Sequence, residues 1–245
     1  VSVTVDGVPV STTSPYTFTD VAADHTIVVA VAVNEPVRVV LDESFDALGN
    51  SDAVAAAAGD LLVLCVVADI TTPDVGFRLA AAWGSQSFVA GPETSINSDR
   101  GWITMQSLVV SEANAGTHAV VPDWGDGDTP ELAVGSLERW RGTVAANPAD
   151  GSSFADNYGT TPDSGETAVT AQAHEIALCA IGWSAVPAAK GTWDFGYTDG
   201  AGVGSGFYLS TAYRIMTATG TARARKSGVS AGSWGAICAT FKVAP

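Results

Sequence analysis

Residues 61–68 read LLVLCVVA and residues 176–183 read IALCAIGW. Both runs are apolar at nearly every position, rich in Val, Ile and Leu, and as long as an ordinary strand, with no polar residues at helical spacing. Successive side chains of a strand point to opposite faces, so such a run must be covered on both. These two stretches therefore decide the fold class: an all-β body whose central strands are buried on either side. A sandwich of two antiparallel sheets covers one face only. The second face is expected to be closed by loops, by another domain or by a neighbouring chain.

Working outward, runs of β-branched, Leu and aromatic residues recur between turn clusters such as Gly49-Asn50, Gly125-Asp126-Gly127-Asp128 and Asp199-Gly200. Strands are predicted over 1–5, 16–18, 26–33, 37–42, 61–68, 77–83, 102–110, 117–121, 132–141, 167–170, 175–183, 206–215, 220–224 and 233–243. The one helix-like stretch, DAVAAAAG at 52–59, is short and ends in Gly59. The prediction is an antiparallel β-sandwich, jelly-roll-like or immunoglobulin-like. It is preceded by a short β-hairpin module, because Asp6-Gly7 between strand residues is a type I′ turn signal. Composition shifts at Asn34-Glu35-Pro36, where proline favours extended backbone before it. The expected organisation is a module over 1–34 and a sandwich domain over 37–245.

Charged residues make up only 15% of the 245 positions, and Asp+Glu outnumber Lys+Arg 26 to 11, for a net charge of -15. Nucleic-acid binding is not expected, since it draws on clustered cations that displace counterions; an anionic membrane surface is disfavoured for the same reason. No apolar run approaches the roughly 20 residues of a spanning helix, so a soluble chain without membrane insertion is expected. Val1 opens without a basic segment followed by an apolar one, and no targeting signal is read from it. Cys65, Cys179 and Cys238 each lie in an apolar run. Their odd number and unrelated spacing argue against a disulfide framework and for buried small hydrophobes. One pair could form if two of these strands face each other.

The most suggestive polar cluster is DWGDGDTPE at 123–131. Closely spaced carboxylates on a glycine-bent loop can supply the oxygens of a calcium site, with Asp123, Asp126 and Asp128 as ligands. It does not fit the EF-hand template, and a solvated acidic turn is the plainer reading. No other cofactor is implied. GVSAG at 228–232 matches the nucleophile-elbow pattern but lacks the helix that should follow, and reads as a hairpin tip. His25, His118 and His174 have no local partner motif, so no catalytic residue is assigned. The glycine-rich span 199–206 fits no phosphate-binding pattern and reads as a long loop. Arg223, Arg225 and Lys226 form a basic patch, read as a charged hairpin edge that blocks stray strand pairing or as a dock for an acidic neighbour. Trp124, Tyr158, Trp193 and Tyr197, with Phe195, sit in polar or glycine-rich sequence; such aromatics could contact a glycan or anchor a protein partner.

Two resemblances extend this reading. VTVDGVPVSTTSPYTFTDVAADHTIVVAV, from Val3 to Val31, resembles the second half of a repeat common in bacterial and phage surface proteins, whose glycine-rich first half is absent. Such modules are spacers and stalks. The remainder resembles a β-sandwich domain of tailed-phage virion proteins and secreted bacterial proteins. That resemblance rests on AGDLLVLCVVAD, AGTHAVVPDW, LERWRGTVAANPADG, HEIALCAIGW, AYRIMTATGTARAR and SWGAICATFK, in that order. It implies a non-enzymatic virion structural protein, such as a head decoration, tail or fibre subunit, that contacts other virion proteins or copies of itself as a homo-oligomer. A carbohydrate-binding or adhesion module of a bacterial or phage surface is the alternative. The corresponding locations are the virion, or the cell surface and extracellular space.

Overall fold

The computed structural model describes residues 2–6, 8–10, 26–30, 36–39, 44–46, 50–69, 79–96, 101–124, 130–141 and 147–243. The chain divides into two compact units, 1–35 and 36–244. In the first, β1 (Ser2–Val5) lies between β2 (Val8–Val10) and β3 (Ile27–Ala30), antiparallel to both. Asp6 takes the positive φ (51°) that the turn after β1 requires. Its backbone N–H donates to the Thr26 carbonyl (2.9 Å), and its Oδ1 accepts the Thr26 N–H (3.0 Å), which ties the turn to the start of β3. The strand predicted over 16–18 lies outside the described residues.

Among the described residues, the second unit is all-β apart from a 3-10 turn at Glu112–Asn114. Its first half contains β4 (Val37–Val39), β5 (Ser44–Asp46), β6 (Val54–Ala56), β7 (Leu61–Asp69), β8 (Ala80–Trp83), β9 (Gln86–Ser87), β10 (Val89–Ile96), β11 (Gly101–Val109), β12 (Gly116–His118), β13 (Val120–Asp123) and β14 (Ala133–Arg141). The second half contains β15 (Ala149–Gly159), β16 (Asp163–Glu166), β17 (Glu175–Trp183), β18 (Lys190–Trp193), β19 (Thr198–Val203), β20 (Tyr208–Met216), β21 (Arg223–Val229) and β22 (Gly232–Phe241). Each half builds one large antiparallel sheet, ordered β10-β11-β7-β14-β4 with β5 also on β14, and β15-β22-β17-β20-β19.

The two central strands are those singled out from sequence. Leu61, Val63, Cys65 and Val67 of β7 face Ile176, Leu178 and Ala180 of β17, in a core shared with Ile103, Met105, Trp140, Leu209, Ile237 and Phe241. Their other faces are closed by the chain itself. Leu62, Leu64, Val66 and Ala68 lie under Ala81 and Trp83 of β8, Val54 and Ala56 of β6 and Val120 of β13. On the far side, Ala177, Cys179, Ala212 and Cys238 lie under Ala222 and Ala224, and Ile181 and Trp183 under Val229. The result is a sandwich whose outer faces carry small sheets, β6-β12 and β13-β8-β9 on one side and β16-β21-β18 on the other. DAVAAAAG thus supplies a covering strand, β6, and a turn at Gly59 (φ 82°).

The halves repeat one topology. Each lays down an edge strand (β4/β5 or β15), a covering strand (β6 or β16), the central strand (β7 or β17) and another covering segment (β8/β9 or β18). The far edge follows (β10 or β19), then its neighbour (β11 or β20), a third covering segment (β12/β13 or β21), and a last strand inserted beside the centre (β14 or β22). The central ladders have equal extent: Leu61–Ala68 pairs with Ala133–Trp140, and Ile176–Trp183 with Trp234–Phe241. This register makes Trp140 correspond to Phe241, Glu138 to Ala239, Ser107 to Tyr213 and Arg38 to Ala149.

The glycine-rich span 199–206 is not a long loop. Residues up to Val203 form the edge strand β19, because glycine lets its backbone approach closely: a Cβ on Gly202 would stand 2.6 Å from the Tyr208 hydroxyl oxygen.

Candidate functional site

The matched register places equivalent residues at the two long edges of the inner core, and chemistry separates them. At one edge, Arg38 donates from Nε and Nη2 to the Glu138 carboxylate (2.6 and 2.9 Å). The guanidinium carbon also lies 4.9 Å from the Tyr213 ring centre. Thr211 donates its hydroxyl to the same carboxylate (3.3 Å), and Trp140 meets Tyr213 edge-on at 5.1 Å. This cluster joins β4 and β14 of one sheet to β20 of the other and fills the edge.

At the other edge, the corresponding residues are Ala149, Ala239 and Ser107. Three small side chains stand where an arginine, a glutamate and a tyrosine stand opposite, and a cleft of about 650 Å³ opens between β10/β11 and β15/β22. That volume lies within the range of small-ligand sites. Its walls include Met105, Phe154, Phe241 and Trp102, with Val89 and Phe154 strongly exposed. Beyond the cleft, the Ser95 hydroxyl on β10 bonds Asp156 Oδ2 on β15 (2.9 Å) and ties the two edge strands together. A register shift in β10 between Ala90 and Glu93 shapes the near wall.

The polar residues of its lining are Glu93, Gln106, Ser107, Asp150 and Ser152. Glu93 stands on β10, where loss of hydration pushes its carboxyl above the ordinary glutamate range. The Gln106 side chain, by contrast, is buried on the outer face of β11 with Leu64, where its Nε2 donates to the Leu79 carbonyl (2.6 Å) and its Oε1 is shut off from solvent. Asp150 is engaged with Lys242 (3.5 Å) and accepts the Ala171 N–H (2.7 Å).

The residues singled out from sequence are not assembled into one site. Asp123 lies exposed at the end of β13, whereas Asp126 and Asp128 lie outside the described residues. Among the described residues no three His, Cys, Asp or Glu side chains are grouped to hold a metal. Trp124 is buried in the outer core of the first sheet. Tyr197 is buried on the second, its hydroxyl 3.9 Å from Cys238 Sγ, and burial pushes its phenol strongly upward. Trp193 is half-buried beside Tyr197 (6.3 Å), and Tyr158 alone of the four is well exposed, on β15.

The basic patch is neither a hairpin edge nor a free dock, because β21 is the middle strand of its covering sheet. Burial alone would raise the Asp163 carboxyl, but the hydrogen bonds from Arg223 hold it below the ordinary range. Arg225 pairs with Asp194 (3.2 Å). Lys226 is buried between Trp193 and Trp183, 5.0 and 5.9 Å from their rings, and donates to the Ser210 hydroxyl (3.0 Å).

Of the remaining candidates, Ser230 sits between β21 and β22 and its Oγ accepts the Ala189 N–H (2.7 Å), so GVSAG is a strand–turn–strand tip. His118 packs edge-on against Trp83 (5.6 Å), and His25 lies outside the described residues. Cys179 and Cys238 are direct cross-strand partners with sulfurs 3.1 Å apart, both as free thiols, while Cys65 lies in the inner core.

Comparison with known protein families, with curated proteins and with solved structures finds no match.

Proposed function

We propose that this chain is a non-enzymatic structural subunit of a phage particle that engages a partner through the open edge of its sandwich. The observation that carries this reading is that edge, an aromatic-walled surface cleft where the topologically equivalent edge is filled. A packed sandwich with one unfilled edge is suited to docking, and the sequence resemblance supplies the virion context. Self-covered sheets remove one reason to expect neighbours, and the weight passes to the cleft.

The test is composition of the particle. Virions purified from the phage or prophage encoding the chain should contain it at a fixed copy number by quantitative mass spectrometry, with matching density by electron microscopy. Its restriction to the soluble lysate would overturn the proposal.

A carbohydrate-binding role on a bacterial or phage surface is the second reading. It is favoured by Phe154 and Phe241 beside Ser107 and Ser152 at the cleft, since sugars bind flat apolar rings beside hydrogen-bonding groups. Binding to a defined glycan on an array, lost in Phe154→Ala, would favour this reading.

A further inference from the structure

We propose that Lys242 and Asp150 join through a side-chain amide bond, formed once in the folded chain, with Glu175 as the group that carries the protons. The inference goes beyond the assembly reading and does not rest on it. Its basis is a cluster at one end of the second sheet.

The ladder brings the three residues together. Phe241 of β22 pairs with Ala149 of β15 on one side and with Ile176 of β17 on the other. Lys242 and Glu175 are the next residues along these antiparallel strands and stand across from each other; the Lys242 N–H donates to the Pro148 carbonyl (2.7 Å). Since Phe241 and Ile176 point into the inner core, their neighbours point to the outer face. Asp150 is the extra residue of the register shift between Ala149 and Gly151, a bulge that re-aims its side chain. Its Oδ1 lies 3.5 Å from Lys242 Nζ, and its Oδ2 accepts the Ala171 N–H (2.7 Å).

Glu175 supplies what an ordinary ion pair lacks. It is fully buried, its Oε1 accepts the Gln172 N–H (3.1 Å), and its Oε2 is enclosed without a donor. Its carboxyl lies within hydrogen-bonding reach of Asp150, and two carboxyl groups bond to each other only through a proton. Loss of hydration pushes Glu175 above the ordinary glutamate range; the Gln172 N–H and Lys242 oppose this, and Asp150 adds to it. A carboxylic acid is thereby held against Asp150. The first half of the fold shows the contrast. Asp60 precedes Leu61 as Glu175 precedes Ile176, but Arg139 neutralises it (2.9 Å), and Thr240 stands at the corresponding place in the second half. Among the described residues Lys242 is also the one lysine in an ion pair, the other cations being arginines. A lysine amine becomes a nucleophile on losing its proton, whereas a guanidinium keeps its own.

The step balances without a further reactant. The Lys242 ammonium passes one proton to the Asp150 carboxylate, and the neutral amine attacks Cγ while the Glu175 acid polarises the carbonyl oxygen. The Nζ–Cγ bond forms and a Cγ–Oδ bond breaks. Glu175 relays a second amine proton to the departing hydroxyl, which leaves as water. Ammonium and carboxylate become a neutral amide, and Glu175 ends as it began. The Lys242 side chain is 31% exposed, which gives the water an exit. The bond closes residues 150–242 into a covalent ring and fastens the edge strand β15 to the end of β22.

The test is mass spectrometry of the purified full chain, incubated overnight in native buffer and then denatured. The chain should be lighter than its sequence by one water. Trypsin should leave Lys242 uncut and yield one branched species joining residues 142–190 to 227–245. Asp150→Ala and Lys242→Arg should both have the full sequence mass. Lys242→Arg keeps a cation beside Asp150, yet its Tm should fall by about 10 °C, the scale expected for opening a ring of this length. Glu175→Gln should slow bond formation by about 100-fold or more, an ordinary share for general acid–base catalysis.

A folded chain of full sequence mass overturns the proposal. So does a water lost from residues 142–190 alone, which marks a cyclic imide at Asp150-Gly151, or a bond formed in Glu175→Gln as fast as in the parent. Should Glu175→Gln not fold, the branched species in the parent and its loss in Lys242→Arg decide. The reaction is internal to the chain, so its failure leaves the particle test standing, and absence from the particle leaves a measured crosslink intact.

Discussion

Replacing Arg38 by alanine tests the contrast between the two edges. Glu138 is 3% exposed and Arg38 16%, and the pair is bidentate. Removing the guanidinium leaves a buried carboxylate beside the Thr211 hydroxyl, and breaking a buried pair from one side costs about 3–5 kcal/mol. Partial exposure of Arg38 lets water reach the site, which places the expected loss near the lower end, about 3 kcal/mol. The cation over Tyr213 is included in that figure. For a body of this size, the loss corresponds to a fall in Tm of roughly 6–12 °C. Urea unfolding with an unchanged m-value is the assay. The double replacement Arg38→Met/Glu138→Leu removes both charges and should recover most of the loss. A single-mutant cost below about 1 kcal/mol, or a double mutant as unstable as Arg38→Ala, would refute the view that this cluster holds the edge.

Other expectations follow from particular contacts. Burial raises the Cys65 and Cys179 thiols well above their usual value, so a thiol reagent should label none of the three buried cysteines in the native protein and all three in urea; rapid native labelling would contradict their placement. A Cβ on Gly182 would stand 2.5 Å from Val67 Cγ2 in the inner core, so Gly182→Ala should cost about 1–3 kcal/mol by overpacking, measurable in the same denaturation series. Burial lowers the Lys226 ammonium pKa, against the raising effect of Asp199 and with the help of Lys190. The unfolded chain then binds more protons between the depressed folded value and about 10.4, so stability should rise with pH through that window. Lys226→Met should flatten this rise; an unchanged slope would show that the ammonium is not desolvated.

The central strands were legible because burial on both faces leaves no room for polar residues: the expected 175–183 is β17, and 61–68 lies within β7. What covers them was not. β6, β8 and β21 bury one face at most, and the alanines and charged residues of DAVAAAAG and RARKSGV give weak patterns, so cover from the chain itself could not be told from cover by a neighbour. The cleft was hidden for a related reason. β10 (VAGPETSI) and β15 (ADGSSFADNYG) are edge strands, where Gly, Pro and polar residues are tolerated because one side needs no ladder. Glu93 and Phe154 therefore sit in stretches where the sequence predicts no strand. Trp124 and Tyr197 misled in the opposite direction: glycine- and aspartate-rich surroundings suggested exposure, while the rings turn inward. The contrast between the edges needed the ladder register, which no local pattern carries.

The repeated topology also bears on what a single chain can do that a pair of subunits cannot. Two identical subunits joined by a twofold axis must present the same residues at both equivalent edges; a plug at one is a plug at the other, and an opening is likewise doubled. Here both sheets belong to one chain, and each edge is free to diverge. One has become a permanent fastening and the other a vacancy. A half-sheet architecture that would otherwise offer two sites, or none, thereby offers one, with a defined direction. Any partner seated there meets this molecule in a single orientation.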